Sequence, residues 1–136
     1  MKSILVFLWL TSYTILAQKT ADIVRIEFSS LTRGYQELVV ITADSLKATT
    51  PTQHKAIKNK DWTGVIKSLY GVHLNDIEGL KSPTMKRAYD GARHSTITII
   101  TKSGKYSHSF DDEDPHEKLK PLMKVIHDTK KRLTGK

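Results

Sequence analysis

The segment from Arg87 to His94 is the most distinctive stretch of the sequence for chemistry. It reads Arg-Ala-Tyr-Asp-Gly-Ala-Arg-His, so two guanidinium groups, an imidazole, a phenol and a carboxylate surround one glycine. Loops on a rigid sheet often carry binding residues, and these side chains would suit a polar partner. A plain turn at Asp90-Gly91, with Tyr89 packed beneath it, is an equal alternative.

The acidic run from Asp111 to Asp114 lies between His108 and His116 and is a second candidate. Carboxylates are ligands for calcium, and imidazoles are ligands for transition metals. The spacing does not match a calcium-binding loop, however. A helix start explains the same residues, because Asp114 suits a cap and Pro115 suits the first helical position. We therefore expect no metal and no cofactor.

Motifs of the common enzyme classes are missing from the sequence. There is no cysteine, no Gly-x-Ser-x-Gly, no glycine-rich phosphate loop, and no His-x-x-x-His among the six histidines. The sequence therefore favours a protein that is not an enzyme, and we assign no catalytic residue. A small hydrolase or a metal-dependent enzyme stays open as an alternative.

The first residues predict export. Lys2 is followed by the apolar stretch Ile4–Leu10 and then by a small residue at Ala17. This order is typical of a secretory signal peptide, and the apolar part is too short to span a bilayer. We expect residues 1–17 to be the signal peptide, with cleavage near Ala17, and residues 18–136 to be a single domain that is secreted or periplasmic.

The formal net charge of the 136-residue chain is +8 at pH 7. Such a balance permits attraction to anionic surfaces or polymers without establishing it. Few aromatic residues accompany the lysines of the last predicted helix, so base stacking, and with it nucleic-acid binding, is disfavoured. The expected partner is an unknown protein or an anionic envelope polymer.

Hydrophobic periodicity predicts strands, a helix, strands and a second helix. Alternation marks strands at 23–29, 96–101 and 105–110, and β-branched or apolar runs mark them at 38–42 and 46–49. Residues 50–60 are polar and predict a loop or a ragged edge. Helical spacing follows Trp62, and an apolar stripe runs from Leu119 to Leu133.

This order predicts an α+β fold: a single antiparallel sheet of four to five strands with two helices packed on one face. Residues 38–42 echo residues 97–101, and each run is followed by a turn, a strand and a helix. A degenerate duplication of a hairpin–helix unit would explain the echo, and chance similarity of β-branched runs would explain it equally well.

The chain also resembles a known group of proteins. The residues that carry the likeness are spread over residues 24–130: Trp62, Leu69, Leu74, Leu80, Pro83, Arg87, Tyr89 to Ala92, Tyr106, Ser107, Phe110, Asp111, Pro115, Leu119 and Leu122. They resemble an uncharacterised family of small exported proteins of Bacteroidetes with no assigned function. The resemblance implies export and a single domain, and it supplies no catalytic residue. Because many such proteins carry a lipid on a cysteine, the lack of cysteine here implies a form without that anchor.

We therefore expect a non-enzymatic binding domain for a protein or an envelope polymer. A structural or inhibitory partner that docks by a sheet edge is a further alternative. The candidate binding surface combines the loop 84–94 with the sheet face of the strand at 105–110. Its residues are Arg87, Tyr89, Asp90, Arg93, His94, Tyr106 and His108.

Overall fold

The structure is a computed structural model that describes residues 22–135. The predicted signal peptide and its cleavage site lie outside the described residues. No helix within residues 22–135 is long and apolar enough to cross a membrane.

One antiparallel sheet of six strands forms the framework, in the order β4-β3-β2-β1-β5-β6. The strands are β1 (Ile23–Thr32), β2 (Tyr35–Thr42), β3 (Ser45–Thr49), β4 (His54–Lys58), β5 (His94–Thr101) and β6 (Lys105–Asp111). The α+β class and the antiparallel sheet agree with the sequence prediction, but the expected four to five strands are corrected to six. Strand β4 was missed because all five of its side chains are exposed, which leaves no alternation to detect.

Two α-helices and three short 3-10 helices complete the fold of residues 22–135. They are α1 (Trp62–Lys67), α2 (Lys120–Thr134) and the 3-10 segments Leu74–Gly79, Lys86–Tyr89 and Glu117–Leu119. Helix α2 begins beside Pro121, which fits the first turn because a proline there removes no helical hydrogen bond. Asp114 does not cap it as expected, since its carboxylate instead lies 3.6 Å from Lys120 Nζ.

The helices and the 3-10 segments Leu74–Gly79 and Glu117–Leu119 share one hydrophobic core with a single face of the sheet. The inward side chains of the strands are Ile26, Phe28, Val39, Ile41, Leu46, Ala48, Ile97, Ile99 and Phe110, and the helical side contributes Val65, Leu69, Leu74, Ile77, Leu119, Leu122, Ile126 and Leu133. A bulge at the start of β1 buries Ile23 and exposes Val24, although simple alternation had placed Val24 inside.

The other face of the sheet carries hydroxyl groups that pair across strands. Thr96 and Thr98 of β5 contact Ser109 and Ser107 of β6, each pair at 3.0 Å between oxygen atoms. Alternating inward apolar and outward polar residues are typical of an antiparallel sheet that is covered on one side.

Candidate binding cleft

A cleft of about 280 Å³ opens at one end of the sheet, which we call the cleft end. The turn between β1 and β2, the turn between β3 and β4, the start of β5 and the end of β6 all meet there. Helix α2 closes the side that faces the core. The lining residues are Tyr35, Glu37, Thr50, Thr52, Gln53, Arg93, His127, Lys130 and Thr134.

Glu37 lies at the bottom of the cleft. It points inward from β2, in phase with Val39 and Ile41, and only 4% of its side chain is exposed. Its Oε1 atom lies 3.3 Å from Lys130 Nζ, and its Oε2 atom accepts a 3.2 Å hydrogen bond from the hydroxyl of Tyr35. A buried carboxylate requires such partners, because an unpaired charge away from water is very costly.

Glu113, which follows β6, joins the same network through two residues of α2. Lys130 donates a hydrogen bond to Glu113 as well as to Glu37, so one ammonium group serves both carboxylates. His127 Nδ1 lies 2.8 Å from Glu113 Oε2. Lys130 is positioned for this role because it sits one turn after Ile126, at the margin of the buried stripe of α2.

The pKa values of Lys130, Glu113 and Tyr35 move away from neutrality. Burial would lower the pKa of Lys130, but its contacts with Glu113 and Glu37 raise it above the ordinary value. Burial would raise the pKa of Glu113, yet hydrogen bonds from Lys130 and His127 lower it. Burial and the neighbouring Glu37 raise the pKa of Tyr35. These groups keep one protonation state near pH 7, which suits fixed-charge binding better than general acid–base catalysis.

Arg93 supplies the accessible cation of the cleft. Its guanidinium carbon lies 5.7 Å from the centre of the Tyr35 ring, and its Nη1 atom lies 3.7 Å from Glu37 Oε1. That separation exceeds a hydrogen bond, and within residues 22–135 the guanidinium group forms no hydrogen bond at all. Because 44% of the side chain is exposed, its donors can reach a ligand.

Three other predicted surface residues share the cleft end with Arg93. Tyr89 is 74% exposed, and its ring lies beside Gly91 of the turn. Asp90 adopts a left-handed conformation with φ of 59° and accepts a 2.9 Å hydrogen bond from Arg33. His94 is exposed at the first position of β5. The structure therefore gathers these residues at one end of the sheet without packing them into one cluster.

Arg87 does not belong to an exposed surface, and this part of the prediction is corrected. Its Nη1 atom lies 2.7 Å from Asp111 Oδ1 and also donates to the hydroxyl of Ser82. Asp111 also accepts hydrogen bonds from the Thr84 hydroxyl and the backbone N–H of Lys86. This clamp ties the loop 82–90 to the end of β6.

The clamp also changes the titration of Asp111. Burial would raise the pKa of its carboxyl group, but the hydrogen bonds from Thr84, Arg87 and the backbone lower it to about 2. Asp111 therefore has a structural role, and it does not join Glu113 and Asp114 in one acidic cluster. Within the residues that the structure describes, no group of three or more acidic or histidine side chains is arranged to hold a metal ion.

His108 and Tyr106 lie on the core face of β6, so the proposed contact surface there is corrected as well. Only 2% of His108 is exposed, and its ring stacks on Phe110 with centroids 5.3 Å apart. Its Nε2 atom accepts a 3.1 Å hydrogen bond from the backbone N–H of His116. Tyr106 is partly buried against the core. The alternation of Tyr106, His108 and Phe110 was recognised correctly, but it marks the inward face.

Sequence reasoning missed Glu37, His127 and Lys130. A signal for Glu37 existed, because a charged residue in phase with Val39 and Ile41 must point towards the core if the strand starts before Leu38. No comparable signal identifies Lys130 as the partner, because the pair spans 93 positions of the chain.

Comparisons of the chain with protein-family models, with curated proteins and with solved structures find no match.

Proposed function

We propose that this protein is a non-enzymatic binding domain of the periplasm or cell exterior, which holds an acidic residue of an envelope polymer in the cleft. The observation that carries the proposal is the guanidinium group of Arg93. It is accessible, lies against the Tyr35 ring and has hydrogen-bond donors to spare. Arginine forms paired hydrogen bonds with carboxylates, which makes an acidic group its natural ligand.

The lining of the cleft supports a sugar acid as that ligand. Thr50, Thr52 and Gln53 place hydroxyl and amide groups opposite Arg93, and these groups match the hydroxyls of a sugar. The volume of about 280 Å³ is near the lower limit for small-molecule sites, so it has room for one residue of a polymer. A polymer can continue beyond the cleft because the cleft is open to solvent.

The fixed charges support binding over the alternative of a hydrolase. A hydrolytic site needs an acid or base whose pKa lies near the working pH. Lys130 and Glu113 instead hold one another in the charged state, with pKa values shifted away from 7. The network therefore holds Glu37, the carboxylate nearest to Arg93, at the floor of the cleft.

Calorimetric titration of the purified domain with three probes tests the proposal. The probes are an oligouronate, the same oligosaccharide with its carboxylates reduced to alcohols, and an acidic peptide of equal charge. We expect the oligouronate alone to bind well. Arg93→Gln should weaken that binding by about tenfold or more, since a charged hydrogen bond is worth about 1.5–3 kcal/mol.

Arg33→Gln is the matched control, because Arg33 lies at the same end of the sheet but is paired with Asp90 outside the cleft. It removes the same charge and should leave affinity nearly unchanged. Equal loss in both variants would show only general attraction to a basic protein and would refute the cleft. If the acidic peptide bound more strongly than the oligouronate, the ligand of the cleft would be a protein and not a polymer.

A further inference from the structure

Strand β4 is an uncovered edge of the sheet. It is the last strand on its side, and all five of its residues are exposed. The opposite edge differs, because the 3-10 segments at 74–79 and 86–89 pack against β6, whereas the contact of α2 with β4 leaves all five β4 residues exposed. Within the described part of the chain, β4 is thus the edge that can accept another strand.

Hydrogen bonds at both ends of the β3–β4 hairpin show which amides face outwards. Thr50 donates its backbone N–H to Gln53 O at 2.8 Å, and Asn59 donates to Asp44 O at 3.0 Å. Paired residues alternate along an antiparallel ladder between hydrogen-bonded and non-hydrogen-bonded positions. With the register of β3 and β4, the residues that bond to β3 are therefore Lys55 and Ile57.

The same alternation leaves the backbone N–H and C=O groups of His54, Ala56 and Lys58 directed away from β3. These three residues, at every second position of β4, form a row of backbone donors and acceptors along the whole strand. An extended peptide could satisfy these groups with backbone hydrogen bonds of its own.

The charges around this edge restrict which strand can pair. Lys55 and Lys58 lie on β4, Lys47 lies on the neighbouring β3, and Lys60 follows β4. Among residues 22–135, none of these four lysines takes part in an ion pair. Lysines on an edge oppose pairing between copies of the same chain. They would attract a strand that carries carboxylates.

We infer that β4 is a docking edge for an extended acidic segment of a partner protein, which would add to the sheet as a seventh strand. Backbone hydrogen bonds to His54, Ala56 and Lys58 provide the contact, and the lysines provide the selectivity. Ile57, which is 40% exposed, offers an apolar contact beside them. This edge is separate from Arg93, so the inference does not depend on the ligand of the cleft.

The test uses the full domain and a synthetic extended peptide that alternates glutamate with valine or threonine. Binding is followed by NMR chemical shifts of the backbone amides and by calorimetry. We expect shifts at His54, Ala56 and Lys58. Ala56→Pro removes an outward N–H that β3 does not use, so the domain should fold while affinity falls about tenfold or more.

A second peptide keeps the charge and the side chains but is N-methylated at alternate residues, which removes its donors. It tests the same inference on the unaltered domain if Ala56→Pro proves unstable. Weak binding of the methylated peptide supports strand addition. Equal binding of both peptides would mean that the lysines act only as a charged surface, and no binding of either peptide at millimolar concentration would exclude the docking edge.

Discussion

Replacing Lys130 by methionine should lower the free energy of unfolding more than replacing any single exposed charged residue does. Lys130 Nζ lies 3.3 Å from Glu37 Oε1, and the two side chains are 12% and 4% exposed. At an effective dielectric constant of about 20, two unit charges at this distance attract by about 5 kcal/mol. Removing Lys130 leaves the buried carboxylate with only Arg93, 3.7 Å away, as a cationic partner, so Lys130→Met should cost about 3–5 kcal/mol.

A second substitution, made in the Lys130→Met variant, should recover part of the lost free energy of unfolding. Glu37→Gln removes the stranded charge and keeps an oxygen that can accept from Tyr35. The double variant should therefore be more stable than Lys130→Met alone, with a coupling energy of about 1–3 kcal/mol. Lys124→Met is the control, because Lys124 and Asp128 form an exposed pair on the same helix, and it should cost far less than Lys130→Met.

Urea unfolding at pH 7, followed by circular dichroism, measures five proteins: the wild type, Lys130→Met, Glu37→Gln, the double variant and Lys124→Met. A cost for Lys130→Met below about 1 kcal/mol, or a double variant less stable than the single one, would refute the argument that the buried carboxylate needs this cation.

The pH dependence of the same variants gives an independent check. The lowered pKa of Glu113 stabilises the fold above the ordinary carboxyl pKa of about 4.3, and this contribution disappears as the pH falls. The raised pKa of Lys130 stabilises the fold below about pH 10.4 and is lost as the pH rises through the folded value. The stability difference between Lys130→Met and the wild type should therefore be largest between about pH 5 and pH 10.

Asp111→Asn should cost about 2–3 kcal/mol at pH 7 and much less near pH 2, since the stabilisation from the lowered pKa of Asp111 is full above about pH 4 and is lost as the pH falls through about 2; an equal cost at both pH values would contradict the clamp. Burial lowers the pKa of His108, so stability should fall below about pH 6.5 and His108→Gln should flatten that slope in urea unfolding. Gly34→Ala should cost about 1 kcal/mol by thermal unfolding, because Gly34 has φ of +71°; an unchanged midpoint would contradict this.

Elements with strong local periodicity were predictable from the sequence. The predicted strand at 96–101 lies within β5, and the apolar stripe of α2 is buried as its spacing indicated. The physical reason is that the period of apolar residues must match the geometry of an element that is covered on one side. Strand β4 has no such period, and its pairing with β3 is what makes it a strand.

The types of residue in the candidate site were partly predictable from the sequence, but which residues line it was not. Arg93 was singled out because it belongs to a segment rich in polar groups, and it does line the cleft. Arg87 was singled out for the same reason, yet the fold pairs it with Asp111. The two arginines lie six positions apart with similar neighbours, and no local pattern separates a ligand-facing side chain from one that stabilises a loop.

The sequence by itself determined which segments have one apolar face, because burial against a core imposes its period on neighbouring residues of the chain. Only the tertiary structure decided that Glu37, Glu113, Lys130 and Arg93 meet at one end of the sheet. These residues come from one strand, two loops and a helix, so their distances depend on strand order and helix placement. Electrostatic contacts act through space, and their partners leave no regular spacing in the chain.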